Sequence, residues 1–293
     1  MIVSICCQTF NHVHFIEQCL ESFLMQKANF RFEILLRDDA STDGTAEICQ
    51  AYANKYPDII KLLAYKENQF AKGIKPMQDN VKRAQGKYIA LCDGDDYWTD
   101  PYKLQKQVDF LEANEAYSGS YTDTLLLDKD NFSPWRKDLP SAMSLRDVIS
   151  LYSPFHTSSF LFKKDAGCLE TFDQFKEINS NDMLLFALVA EKGNLVKIDC
   201  QPTVYRKHVG GVTNLQRNKS LSLHFSRMIL WGKIKEVIPR EHNKMDSIIS
   251  QHMLLALALL KTPLRALVEE IGYKELIKMI GKKTFLKHIL FAR

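Results

Sequence analysis

The sequence predicts an α/β fold: a mostly parallel central sheet flanked by helices, followed by a C-terminal helical extension. Short apolar, partly β-branched runs alternate with helix-period segments over the first hundred residues. Polar, turn-rich loops follow those runs, and from roughly residue 218 onward the pattern reads as helical throughout.

Residues 2–7 form a short, mostly apolar run, the pattern of a buried parallel strand. Thr9-Phe10-Asn11-His12 makes a loop, after which Phe15, Ile16, Cys19, Leu20, Phe23 and Leu24 recur at helical spacing. A second strand over 32–36 leads into the turn residues Asp38-Asp39-Ala40-Ser41-Thr42-Asp43-Gly44-Thr45, and a helix over 46–56 stops at Pro57. Residues 59–65 and 87–92 are the third and fourth strands. Asp100-Pro101 opens a helix, capped by Thr99 or Asp100, that runs to about Asn114. Residues 117–128 and 157–163 read as strands, and Asn181–Lys192 as a helix stopped by Gly193. Two short strands follow at 195–199 and 203–208. Right-handed βαβ units place ligands beyond the carboxyl ends of their strands. Three polar loops leave those ends here: the one after Cys7, the one at Asp38-Asp39, and Asp93-Gly94-Asp95-Asp96.

Composition bounds the rest. At 293 residues, with 46% hydrophobic and 11% aromatic content, the chain holds one large domain with a helical appendage and a substantial core, which excludes a disordered protein. The longest apolar run, residues 253–260, is too short to span a bilayer, and MIVSICCQTF lacks the basic flank of a signal peptide. A cytoplasmic chain is the expectation. Seven cysteines without a CxxC pair read as buried thiols, not a zinc site or a disulfide framework. Residues 261–293 carry a net charge of +5 and the remainder −1, so the excess positive charge lies in the tail, which argues against nucleic acid as a partner. In that tail apolar residues from Leu264 to Leu290 lie at helical spacing with Lys282, Lys283 and Lys287 interleaved. Such a segment suits the headgroups of an anionic membrane, a peripheral position on its inner face, or a solvated basic face packed on its own domain.

Asp93, Asp95 and Asp96 repel one another, and a bound Mg2+ or Mn2+ would compensate; the alternative is a solvated acidic turn. Asp38-Asp39 belongs to a turn-and-cap sequence, yet at a strand's carboxyl end it could accept from a ribose or a base.

Three ordered motifs over about the first 115 residues resemble family 2 glycosyltransferases of the GT-A fold. Residues 3–11 and 16–26 look like that family's opening strand and helix, and residues 33–45 resemble its "EIIVVDDGSTDGT" segment, with Arg37 and Ala40 as departures. Residues 86–96 resemble its strand ending in the DxD motif. The resemblance implies a Rossmann-like GT-A domain over 1–215, with a nucleotide-sugar half (1–115) and an acceptor half (116–215), before the helical, basic region 216–293.

It also implies roles. Thr9 and Phe10 would lie beside the base, Asp39 would contact uracil or ribose, Asp93 would face the ribose, and Asp95 would hold the metal on the diphosphate. Residues 68–80 match the variable donor loop, where the usual Arg before Asn80 is missing; Lys72 or Lys75 would replace its charge. The family's catalytic base lies in an acidic pair at a helix start, which points to Asp182, with Asn181 in place of the customary Glu. The plain alternative is a helix N-terminal acid favoured by the macrodipole. Residues 205–213 resemble a "YRxHxGGxS" stretch, so His208 would complete the metal site or touch the diphosphate, with Arg206 or Lys207 assisting, unless it is structural. Residues 155–159 resemble the acceptor-side strand, where His156 would meet a sugar, and Trp98 would offer a flat face to the acceptor or pack in the core.

The implied activity is inverting, metal-dependent transfer of a hexosyl or N-acetylhexosaminyl group. The donor is a nucleotide sugar, a UDP-sugar first, and the acceptor a hydroxyl of a glycan or lipid-linked molecule in surface polysaccharide synthesis. A nucleotidyltransferase should carry a Gly-rich, Arg/Lys-containing loop after its first strand, which Thr9-Phe10-Asn11-His12 is not. A non-catalytic, membrane-attached scaffold with the same fold is opposed by intact Asp39, Asp93, Asp95 and Asp182.

Overall fold

The computed structural model describes residues 1–175, 178, 181–211 and 221–260. The expected boundary at 215/216 and the basic tail 261–293 lie outside them. The first half alternates as expected: β1 (Val3–Thr9), α1 (Ile16–Leu24), β2 (Phe32–Asp38), α2 (Thr45–Lys55), β3 (Ile60–Ala64), α3 (Pro76–Arg83), β4 (Tyr88–Leu91) and α4 (Lys103–Ala113). Then come β5 (Tyr117–Tyr121), β6 (Thr124–Asp128), β7 (Asn131–Pro134), β8 (Ala142–Met143), α5 (Leu145–Val148), β9 (Leu161–Lys163), α6 (Ala166–Gln174) and α7 (Asn181–Lys192). The order closes with β10 (Asn194–Lys197), β11 (Thr203–Lys207), α8 (Leu221–Val237) and α9 (His242–Leu260).

Eight strands form the main sheet in the order β3-β2-β1-β4-β9-β5-β10-β8. Its pairs are parallel except where β9 meets β4 and β5 and where β8 meets β10. β1 shows why its face is buried on both sides: Val3, Ile5 and Cys7 join α1 and α4 in one core layer, whereas Cys6 joins α3 and α7 in the other. That two-sided burial is the near-continuous apolar strand pattern of a parallel sheet. α7 is buried along Met183–Ala190 and packs between the sheet and α8, whose Leu230, Trp231 and Ile234 share its core.

The expected strand over 117–128 is two strands in two sheets. At Thr122-Asp123 the chain leaves the main sheet, and β6 joins a small sheet in the order β11-β6-β7. There the Thr124 and Thr203 hydroxyls meet at 2.9 Å. The expected strand over 157–163 shortens to β9 because a 3-10 turn occupies 157–159. The helix α3, started by Pro76 at its first turn, was hidden in the stretch read as a loop.

Candidate active site

The loops after β1, β2 and β4 converge at the carboxyl edge of the sheet. Asn11 has φ 55°, a left-handed conformation that Asn tolerates, and its side-chain oxygen accepts from the Thr42 N–H at 2.9 Å. The Ser41 hydroxyl accepts from the Asn11 N–H at 2.9 Å, and Thr45 Oγ1 from the His12 N–H at 2.8 Å. Thr45 Oγ1 in turn donates to Asp43 at 2.6 Å. The Ser-Thr-Asp-Gly-Thr turn therefore laces the β1 loop into place. Gly94 lets β4's loop close onto it, since a Cβ there would lie 2.7 Å from Thr9 Cβ and Oγ1.

This approach sets the three carboxylates into different surroundings. Gln8 Nε2 donates to Asp93 Oδ1. Burial, followed by the negative charges of Asp95 and Asp182, pushes the Asp93 carboxyl up to about 7. Asp96 is 2% exposed and accepts from the Arg206 N–H at 3.0 Å; burial beside Asp95 holds its carboxyl well above the ordinary range. Burial would raise Asp95 as well, but its hydrogen bond with His208 and the charges of His12 and His208 outweigh that and hold it low. His208 Nε2 lies 2.9 Å from Asp95 Oδ2, and His12 Nε2 lies 3.8 Å from the same oxygen. Phe15 packs 4.6 Å from the His208 ring. The Arg206 guanidinium bridges the Asp95 carbonyl, at 2.6 Å, and Gln18, and stacks 4.2 Å over Tyr97.

Among the other expected residues, Asp182 stands at the start of α7, near enough for its charge to act on Asp93 and on Arg227. Arg227, from α8, was not anticipated; its guanidinium lies against Met183 Sδ. Thr9 is buried with its hydroxyl 3.1 Å from His12 Nδ1, whereas Phe10 is 42% exposed at the edge. Lys75 caps α3 with its ammonium 5.6 Å from the Phe70 ring, and burial lowers its pKa.

One expectation is corrected. Trp98 offers no face to an acceptor: it is 1% exposed, its indole N–H donates to the Ser158 carbonyl at 2.8 Å, and Lys103 and Phe23 cover its ring. Asp39, expected beside uracil or ribose, is turned inward at 3% exposure. It pairs with Arg37 at 3.1 Å and accepts from the N–H groups of Gln69 and Phe70 at 2.9 and 3.0 Å. The cause is Arg37, fully buried at the end of β2, which also donates to Asp79 at 2.9 Å and stacks 4.7 Å over Tyr65. A buried cation stripped of its partner costs about 3–5 kcal/mol, so these carboxylates are committed to it. His156 is tucked in as well. Its ring is 3.8 Å from Asp96, bonded to Ser158 at 2.9 Å and covered edge-on by the half-buried Trp135, and burial lowers its pKa to about 4.

The family model of Glycosyl transferase family 2 matches residues 4–164, more than half of the chain. The chain belongs to that family. Among curated relatives, this family 2 chain is 31% identical over 224 residues to an uncharacterized protein of Mycobacterium tuberculosis, covering 72% of this chain and 59% of that protein's length. It is 34% identical over 214 residues to the Escherichia coli UDP-Glc:alpha-D-GlcNAc-diphosphoundecaprenol beta-1,3-glucosyltransferase WfaP, covering 72% and 80% of the two chains. Among solved structures, residues 1–349 of S. aureus TarS in complex with UDP-GlcNAc superpose with a TM-score of 0.67 at 17% identity, covering 97% of this chain and 83% of that one. The mannosyltransferase PcManGT from Pyrobaculum calidifontis, in complex with GDP-Man and Mn2+, gives 0.56 at 16% identity, covering 99% and 87%. These likenesses show the GT-A fold.

The residues of this family 2 site fit a divalent cation. Crowded carboxylates surround an edge where ligand atoms of His12, Asp95 and His208 lie within 4.8 Å of one another.

Proposed function

We propose that the chain transfers a hexosyl or N-acetylhexosaminyl group, with inversion, from a UDP-sugar to a hydroxyl of a lipid-linked or glycan acceptor in surface polysaccharide synthesis. The observation that supports this reading is the meeting of Asp95 and His208 beside Asp93, close enough to the candidate base Asp182 for its charge to act on Asp93. The names of relatives and neighbours support it: WfaP's carries UDP-Glc and a diphosphoundecaprenol acceptor, and TarS was solved with UDP-GlcNAc.

Asp95 and His208 would hold the cation, Mg2+ or Mn2+, which supplies Lewis-acid stabilisation of the leaving diphosphate. Gln8 orients Asp93 toward the ribose, and Phe10 offers its exposed ring to the base beside Thr9. Arg206 ties the Asp95 backbone to Gln18 of α1, which keeps the β4 loop in register. Asp182 takes the proton from the acceptor hydroxyl while that oxygen bonds to the anomeric carbon and the bond to the diphosphate breaks, the electron pair leaving with the phosphate. Trp135, above His156 and Tyr205, replaces Trp98 as the aromatic surface for the acceptor.

The test is incubation with a panel of nucleotide sugars and MnCl2 in the presence of membrane lipid extract. Nucleoside diphosphate should be released from a UDP-sugar and the release should stop with EDTA; release that ignores the chelator contradicts the reading. The basic segment 261–293 is proposed to hold the chain on an anionic membrane surface. Cosedimentation with phosphatidylglycerol vesicles should then be lost on truncation at residue 261, and retained binding would refute it.

A further inference from the structure

The Asp93-Asp95-Asp96 sequence motif suggests an all-oxygen site, but the structure does not keep these carboxylates equally available. Asp96 accepts from the Arg206 N–H deep in the protein, and Asp93 is engaged by Gln8. Asp95 Oδ2 is left facing two imidazoles, His208 at 2.9 Å and His12 at 3.8 Å. The two rings stand nearly perpendicular, 87°, with centroids 5.8 Å apart. Ligand atoms around an ion with bonds of about 2.1 Å lie about 3 Å apart when adjacent, so a small contraction of this trio encloses one.

We propose that His12 is a third protein ligand, and that two imidazoles with one carboxylate make the site favour first-row transition ions such as Mn2+ over Mg2+. This rests on the metal-dependent reading above and goes beyond it by naming His12 and the preference it creates. His12 is held for that task. Its Nδ1 is 3.1 Å from the Thr9 hydroxyl, which fixes the ring and directs Nε2 at Asp95; its backbone is held by Thr45. Imidazole nitrogen suits transition ions, whereas Mg2+ prefers oxygen and retains its waters.

The experiment is a titration of the full chain with MnCl2 alone, and again with UDP, read by the free-Mn2+ EPR signal, with Mg2+ as competitor. Electron spin-echo modulation counts the coordinated nitrogens. Wild type should bind Mn2+ at least about tenfold more tightly than Mg2+ and show two imidazole nitrogens. His12→Ala and the shape-preserving His12→Gln should lose about tenfold or more in Mn2+ affinity, show one nitrogen, and change little toward Mg2+. Unchanged affinity and nitrogen count in both variants would overturn the role of His12 while leaving a chelator-sensitive transferase intact. No Mn2+ binding by wild type, with or without UDP, would overturn both.

Discussion

Asp182→Asn is expected to bind a UDP-sugar with wild-type affinity and to lose turnover by about two to four orders of magnitude, the usual contribution of a positioned general base. The substitution keeps the size and hydrogen-bonding shape of the side chain at the start of α7 and removes only its ability to hold a proton. The competing role, an acid that complements the helix dipole, would cost about 0.3–1 kcal/mol of stability and leave turnover untouched. The two roles therefore separate in kcat. Steady-state kinetics with a separate measurement of donor binding checks this: normal kcat would remove Asp182 from the chemistry, and lost donor binding would give it a different one.

The second large effect is expected at Asp95. Its Oδ2 lies 2.9 Å from His208 Nε2 and 3.8 Å from His12 Nε2. Asp95→Ala should lower UDP affinity in MnCl2 by at least about 100-fold, to the level measured in EDTA, because it removes the carboxylate charge of the His12–Asp95–His208 trio, a larger loss than that of one neutral imidazole or of a supporting partner. The fold should survive. Arg206 grips the Asp95 backbone carbonyl, not its side chain, and the Gly94 N–H still donates to the Gln8 carbonyl at 2.9 Å. A cooperative thermal transition alongside lost metal-dependent binding is the expected pair of results. Retained binding would place the ion elsewhere.

What the sequence revealed follows from where the information resides. The parallel half was readable because β1, β2 and β4 are buried on both faces and end in polar loops, a pattern local to each segment. Asp95 and His208, 113 residues apart, could be paired only through motif resemblance, and the structure brings them to 2.9 Å. Trp98 follows the acidic motif directly, but its fate was set by Ser158, 60 residues away, and by Lys103 and Phe23. The departures at 37 and 40 carried more than they first showed. Ala40 sits at φ 64°, where glycine is ordinarily used. The positive charge missing before Asn80 reappears at Arg37, which spans Asp39 and Asp79. Lys72 pairs with exposed Glu67, and the Lys75 ammonium lies 5.6 Å from the Phe70 ring. His12 gave no signal of its own. Only the folding of one loop over another shows what it faces.

The most direct measurement is calorimetric titration of UDP into the wild-type chain, once with MnCl2 and once with EDTA. One molecule of UDP per chain should bind in Mn2+, with affinity collapsing in the chelator. Equal affinity in both conditions, or no binding in either, would contradict a metal-bridged diphosphate at the carboxyl ends of β1 and β4.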